Sequence, residues 1–466
     1  MLKKRFYIAL SFALCCLKAR DTYAQVVLNI PEANITSQSD YMSVVNGPAG
    51  LSLGLFASVK FKANSSNFAA TAVGSSASLP LNLAFLRMDI KTILSLISTG
   101  FEKVFSTDES EVYYAVVAIS GGTIFNYRIS TAGKSLLAGS YRTTLTFNPP
   151  GMATPAPLPF TIVIPSFITQ NVNPAITTLN INTFTPFTNT TGITGTNSFN
   201  YYTTVLTNIN IKSTAANFGF TTSYNSNVTP VNASSFLNAQ LSSPAMTSGP
   251  VLNLTQTDQL MTGSAIGIAA TNRRDLTATF NITAADLKSK FVQAGVYNLP
   301  ISYKLTAAND IYTPAPTPSE FTMPTSVQLT VEKMSNISIP TPTVSIAFSA
   351  AADYQLGVTK QMPGHIKVSS TVPWSVTVKA NSDFLTNGAN QIPVSMIHIE
   401  GIPGQNGTTT ILPITLSSTA QPIVSTANPS IDQLLNLQYR VPAAQSLVGK
   451  VNGKYATTIT YTLVAP

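Results

Sequence analysis

One composite pattern returns three times along the chain and constrains the fold more than anything else in it. Each copy starts with an aromatic-x-Ile/Val triplet. A short connection follows, and then Gly-x-Tyr opens an alternating run. The copies are Tyr127-Arg128-Ile129 with Gly139-Ser140-Tyr141, Phe280-Asn281-Ile282 with Gly295-Val296-Tyr297, and Tyr439-Arg440-Val441 with Gly453-Lys454-Tyr455. The three tyrosines are 156 and 158 residues apart. A period of that size is the length of a domain, and 466 residues hold about three.

The run after each Gly-x-Tyr alternates. In the first copy Tyr141, Thr143, Leu145 and Phe147 share one face, as in a strand with one wet side. A second block recurs upstream: Val59-Lys60-Phe61-Lys62-Ala63, Ile209-Asn210-Ile211-Lys212-Ser213 and Val376-Thr377-Val378-Lys379-Ala380. It too reads as a half-buried strand. Thr283-Ala284-Ala285-Asp286 has the spacing of a helix-capping box, with aspartate in the glutamate position.

Proline-rich seams recur as well, at Thr154-Pro155-Ala156-Pro157-Leu158-Pro159 and Thr313-Pro314-Ala315-Pro316-Thr317-Pro318. Such density favours an extended, semi-rigid spacer. An apolar strand follows each seam, and Val26-Val27-Leu28-Asn29-Ile30 stands near the start of the chain with no module before it. These strands are therefore expected to open modules, and Gly-x-Tyr strands to close them. The expected division is a signal segment at 1–24, modules at 25–149, 160–312 and 326–466, and linkers at 150–159 and 313–325. On that division the three copies make up the whole exported protein. Short strands with Gly, Asn and Pro turns point to an all-β chain of three tandem immunoglobulin-like β-sandwich modules. Ile90, Ile93, Leu94, Ile97, Phe101, Val104 and Phe105 follow helical spacing, which predicts a short amphipathic helix inserted in the first module.

Composition decides the compartment and the class of job. Lys3-Lys4-Arg5 precedes an apolar run from Phe6 to Leu17, too short to span a bilayer, and Thr22-Tyr23-Ala24 offers a small residue for cleavage. This is the form of a secretory signal. Both cysteines, Cys15 and Cys16, lie inside it, so residues 25–466 can form neither disulfides nor thiolates. No second apolar stretch is long enough for a membrane span. The formal charge of +8 halves once residues 1–24 are set aside, too dilute for nucleic-acid binding, which needs clustered Lys and Arg. Charged residues make up only 9%, but 23 Phe and 17 Tyr can fill a core.

Catalytic chemistry finds little material. The only histidines are His365 and His398, without acidic partners at ligand spacing, so no metal or cofactor is expected. No Gly-x-Ser-x-Gly elbow and no phosphate-cradling Gly-rich loop is present. The reading is non-enzymatic. Trp374, the one tryptophan, is the candidate ligand-binding residue, through stacking on a sugar ring; packing in a core is the competing use of such a side chain.

The third copy resembles the WxL-type surface domain of bacteria, with Trp374-Ser375-Val376 at the first motif position and Tyr461-Thr462-Leu463 at the second. The same terminal strand is similar to those of fimbrial subunits and spore-coat-U-type pilins. The resemblance implies a bacterial surface β-sandwich, acting as a structural or adhesive protein at the cell surface, at the outer membrane or outside the cell. Its expected partners are other surface proteins, further copies of itself, or host and environmental glycans. Two alternatives stand beside this reading. One is a fimbrial subunit assembled by strand exchange, with Val26, Val27, Leu28 and Ile30 as the donor strand. The other is a carbohydrate-binding protein using Trp374.

Overall fold

The computed structural model describes residues 25–465 apart from 72–76, 225–228, 245, 247, 309–319 and 444. The expected signal segment and the seam at 313–318 lie outside the described residues. The chain is all-β, in three successive sandwiches.

One sheet of each sandwich is built on the Gly-x-Tyr strand. In the first, the order is Val26–Asn29, Leu158–Ile164, Gly139–Asn148, Ala57–Ala63 and Ser110–Ala115. In the second it is Thr177–Ile181, Glu320–Val331, Gly295–Ala307, Thr207–Ser213 and Gln259–Leu260. The lysine-bearing blocks at 57–63 and 207–213 thus sit in the same place, antiparallel to the Gly-x-Tyr strand. The third copy repeats this pairing between Trp374–Ala380 and Ile459–Val464. Each facing sheet contains a long strand that ends on the aromatic-x-Ile/Val triplet: Ile119–Ile129, Arg273–Ile282 and Ser430–Val441. Alternate residues of these strands fill the space between the sheets. In the first module Phe105 packs within 5.1–5.9 Å, ring centre to ring centre, of Phe61, Phe68 and Phe160.

The Gly-x-Tyr motif has one geometry throughout. The glycines have φ of +149°, +150° and +154° at Gly139, Gly295 and Gly453, a region that side chains with a Cβ avoid. Each tyrosine then donates its hydroxyl hydrogen to the carbonyl four residues back: Tyr141 to Leu137, Tyr297 to Gln293 and Tyr455 to Val451, all at 2.9 Å. This is a tyrosine corner, which ties the incoming loop to the strand it feeds. At Thr283 the N-cap half of the expected box forms, and the Thr283 hydroxyl donates to the Asp286 carboxylate in place of the reciprocal main-chain bond. The Asp286 amide donates to Thr283 Oγ1 at 3.1 Å and starts the helix Ala284–Lys290.

The strand after each proline-rich seam corrects the expected order. Leu158–Ile164 does not open the second module. It pairs antiparallel with Gly139–Asn148 and parallel with Val26–Asn29, inside the first sheet. Glu320–Val331 does the same with Gly295–Ala307 and Thr177–Ile181. Residues 150–157 are therefore a connection between two neighbouring strands and not a spacer, with Met152 and Ala153 buried beneath it. Proline density was a sign of a rigid loop, but the apolar strand beyond it gains more by folding back to cover the core.

The helix expected over 90–105 is also corrected. The first module does carry a short helix, but at Glu32–Thr36. Ala84–Thr92 is a strand that ends at a turn, where the Ser95 amide donates to the Thr92 carbonyl at 2.9 Å. Ile97–Ser98 then pairs back on Ile90–Lys91. The helical spacing mixes two populations: Ile90 and Phe105 face the core, whereas Ile93, Leu94 and Ile97 stand in solvent.

Candidate functional site

The two junctions between modules use one device. Ala138 and Ala294, each just ahead of the motif glycine, donate their amides to the carbonyls of Thr204 and Thr371 in the next module, at 2.8 and 2.7 Å. Those threonines donate their hydroxyls to Pro165 and Glu332, one residue past each strand that follows a seam, at 2.6 and 2.8 Å. The modules therefore stack in series through short bonds rather than hang on linkers.

Against this repetition the third module is short of a strand. Ile459–Val464 pairs with Trp374–Ala380 along one edge. Among the described residues nothing pairs along the other edge, where Leu158–Ile164 and Glu320–Val331 lie in the first two modules. Three local differences follow from that vacancy. In the first two modules the strand starts at the motif glycine, Gly139 or Gly295, each facing a residue of the neighbouring strand. In the third it starts only at Ile459, six residues after Gly453, although Gly453 has the same φ. Second, the side chains that point inward are less covered. Tyr141, Leu145, Tyr297, Leu299, Ile301 and Tyr303 are buried, whereas Ile459, Tyr461 and Leu463 are only half-buried. Third, the segment matching the first strand of each sheet is present, as Thr343-Val344-Ser345-Ile346-Ala347-Phe348, but is not paired as a strand. Its Val344, Ile346 and Phe348 rest half-buried on the third core. In the other modules that first strand is held in the sheet by the very strand missing here.

The floor under this vacancy is polar and fixed. Tyr439 Oη lies 2.7 Å from His365 Nε2 and is also hydrogen-bonded to Tyr461 Oη, so a tyrosine of the half-exposed strand is tied to the facing sheet. Burial holds the His365 imidazole below the usual histidine range. His398 stands apart, with Nδ1 3.2 Å from Thr415 Oγ1. Among the described residues no three metal-ligating side chains come together, and no helix is long and apolar enough to cross a membrane.

The residues singled out from the sequence fall elsewhere. Trp374 is 2% exposed, and its indole N–H donates to the Asn428 carbonyl at 2.9 Å. Its ring is core, with no face left for a sugar, so the stacking role is corrected. Val26, Leu28 and Ile30 are buried, and Val27 faces out. Val26–Asn29 is paired residue for residue with Phe160–Val163, so it serves its own first sheet and not another chain. The alternation that suggested a donor is real, but the closing strand beside it was assigned to the wrong module.

A second surface went unread in the sequence. Three loops of the first module converge at the end away from the second module. Ala57 pairs with Ala115 and Gly121 with Thr92, which brings together the adjoining residues Leu55 and Phe56, Val116 and Val117, and Ile93 and Leu94. Each of these six apolar side chains is between 61 and 85% exposed. Clustered exposure of that kind marks contact surfaces.

No family model matches the chain, the WxL-type domain included, and no curated protein is similar to it. Among solved structures, the chain is similar to CfaE, the adhesive subunit of the CFA/I fimbria of enterotoxigenic Escherichia coli (11% identity, 66% of this chain and 98% of that one, TM-score 0.26). It is also similar to the CsuC–CsuE chaperone–tip adhesion subunit complex from Csu pili of Acinetobacter baumannii (13%, 63% and 99%, TM-score 0.28). A third is the CupB6 tip adhesin of Pseudomonas aeruginosa (11%, 62% and 90%, TM-score 0.22). At such scores the architecture rests on the strand register set out above.

Proposed function

We propose that this protein is a non-enzymatic subunit of an exported surface assembly, and that its third module is completed by an extended strand from another chain. The observation that carries this reading is the unpaired edge of Ile459–Val464, beside the unpaired segment 343–348. An exposed edge with apolar side chains around it is a template for strand addition. The two complete modules indicate what the added strand should be. Leu158, Phe160, Ile162 and Ile164 alternate inward in the first, and Met323, Val327, Leu329 and Val331 in the second. An incoming strand with that alternation would bury about 1.5–3 kcal/mol per large apolar side chain. The strand-exchange reading of the sequence is thus kept with its direction reversed: the chain accepts a strand at its third module. The apolar loops at the far end of the first module are the adhesive face.

The test is a peptide that copies Leu158–Ile164, offered to the full chain, with hydrogen exchange as the readout. Slower exchange over 453–464, with the first two modules unchanged, supports the reading. No protection there, from this peptide or from Glu320–Val331 fused in cis behind residue 466, rejects it.

A further inference from the structure

The strand Arg273–Ile282 holds a side chain that its own alternation does not expect. Arg274 lies on the inward face with Leu276, Ala278, Phe280 and Ile282. Six residues ahead of the corresponding aromatic, the first and third modules have Gly121 and Gln433. Arg274 is 6% exposed, and a guanidinium stays charged at any pH a protein survives. Its neighbour Arg273 is paired with Asp275, but among the described residues no carboxylate reaches Arg274. One Nη donates to the Gly267 carbonyl, and among the described residues Nε has no partner. A buried unpaired charge is among the most costly features a fold can keep.

Arg274 lines a cavity of about 820 Å³. Thr262, 2% exposed, lines it too, and its hydroxyl has no partner among the described residues. The rest of the wall is made largely of small residues, among them Ser248, Gly263, Ser264 and Gly267, with no acidic side chain among the described residues. The size suits a small organic ligand. Beside the apolar Met246, Pro250, Ile266 and Ile268, the wall offers hydroxyls and main-chain groups and, among the described residues, no aromatic side chain, which suits a polyhydroxylated ligand better than a peptide.

We infer that this cavity is a binding site for a saccharide bearing a carboxylate, a uronic or nonulosonic acid, with the carboxylate on Arg274 and a ring hydroxyl on Thr262. Arginine and carboxylate attract strongly, and an N–H of the guanidinium Nη groups that is not spent on the Gly267 carbonyl can donate to the carboxylate. The site lies in the second module and is independent of strand addition at the third.

The experiment titrates the full chain with galacturonic acid, N-acetylneuraminic acid, neutral galactose and acetate, followed by ligand-observed NMR. At least one acidic sugar should bind about ten- to hundredfold more tightly than galactose and acetate, the range one charge-assisted bond supplies. Arg274→Met should abolish that preference without unfolding the chain, since it removes an unpaired charge. Gly263→Tyr is the second variant. A Cβ at Gly263 meets nothing within 4 Å, so the ring can fill the cavity and block binding while Arg274 stays in place. Failure of both acidic sugars to bind, equal binding of galactose or acetate, or unchanged binding in either variant would overturn the site. An acidic peptide that binds where the sugars do not would overturn it as well.

Discussion

Leu136 and Asn272 face each other across the first junction and exchange two hydrogen bonds. The Leu136 amide donates to Asn272 Oδ1 at 3.1 Å, and Asn272 Nδ2 donates to the Leu136 carbonyl at 2.7 Å. Asn272 is fully buried, at φ +58°, a conformation that asparagine tolerates better than most residues. Asn272→Gly keeps the backbone free to adopt that φ and removes both bonds, together with the one Nδ2 donates to the Thr203 carbonyl at 2.8 Å. It should cost about 1–3 kcal/mol, the penalty for unsatisfied buried polar groups. Calorimetry should show the first two modules melting as one transition in the parent and as two in the variant. A single unshifted transition in Asn272→Gly would count against coupling through this pair.

The tyrosine corners allow a comparison within one chain. Tyr297 is buried and Tyr455 half-buried, though both make the same 2.9 Å bond. Tyr297→Phe should cost about 1 kcal/mol, and Tyr455→Phe clearly less, because water can replace the lost bond. Urea melts of the two single variants decide this. With a complementing peptide bound, the cost at Tyr455 should rise toward that at Tyr297.

The second junction should be sensitive to acid. Asp432 lies 3.1 Å from Lys288 of the second module and 2.9 Å from Lys367 of its own. The hydrogen bond from Lys367, ahead of that from Lys288, holds its carboxyl below the usual aspartate range. A depressed folded pKa gives stability that is full above the unfolded value of about 3.9 and fades as pH falls through the folded one. The pairs are partly exposed, so the effect should be under about 1 kcal/mol. Melts at pH 5 and pH 3, compared between the parent and Asp432→Asn, should show a smaller loss in the variant. An equal loss would place the acid sensitivity elsewhere.

The apolar loops should matter for adhesion and not for folding. Ile93→Lys with Leu94→Lys alters side chains that are 85 and 81% exposed, so stability should stay within about 0.5 kcal/mol of the parent. Retention on an alkyl-coated surface should fall several-fold. Unchanged retention would move the adhesive face away from this end.

Much of the architecture was legible because it is written in local rules. Gly-x-Tyr announced a reversal, the lysine blocks announced wet-faced strands, and Thr283 to Asp286 announced a cap. What could not be read was which neighbour a strand chooses. Leu158–Ile164 has the same alternation whether it opens a module or closes one, and only pairing with Gly139–Asn148 decides. The turn at Ser95, with φ +63°, also broke a periodicity that counted exposed and buried residues alike. Arg274 could have been found from sequence, as a charge in phase with Leu276, Ala278 and Phe280. That no carboxylate among the described residues reaches it emerges only in three dimensions.

The pairing of Val26–Asn29 inside its own sheet has a consequence for counting. On the proposed reading the described residues hold one vacancy, and Val26–Asn29, already paired, is not free to fill one in a neighbour. A copy that accepts a strand and lends none ends the polymer it joins, whatever its length. Raising the ratio of this chain to its partner should make assemblies more numerous and shorter, with the same total mass.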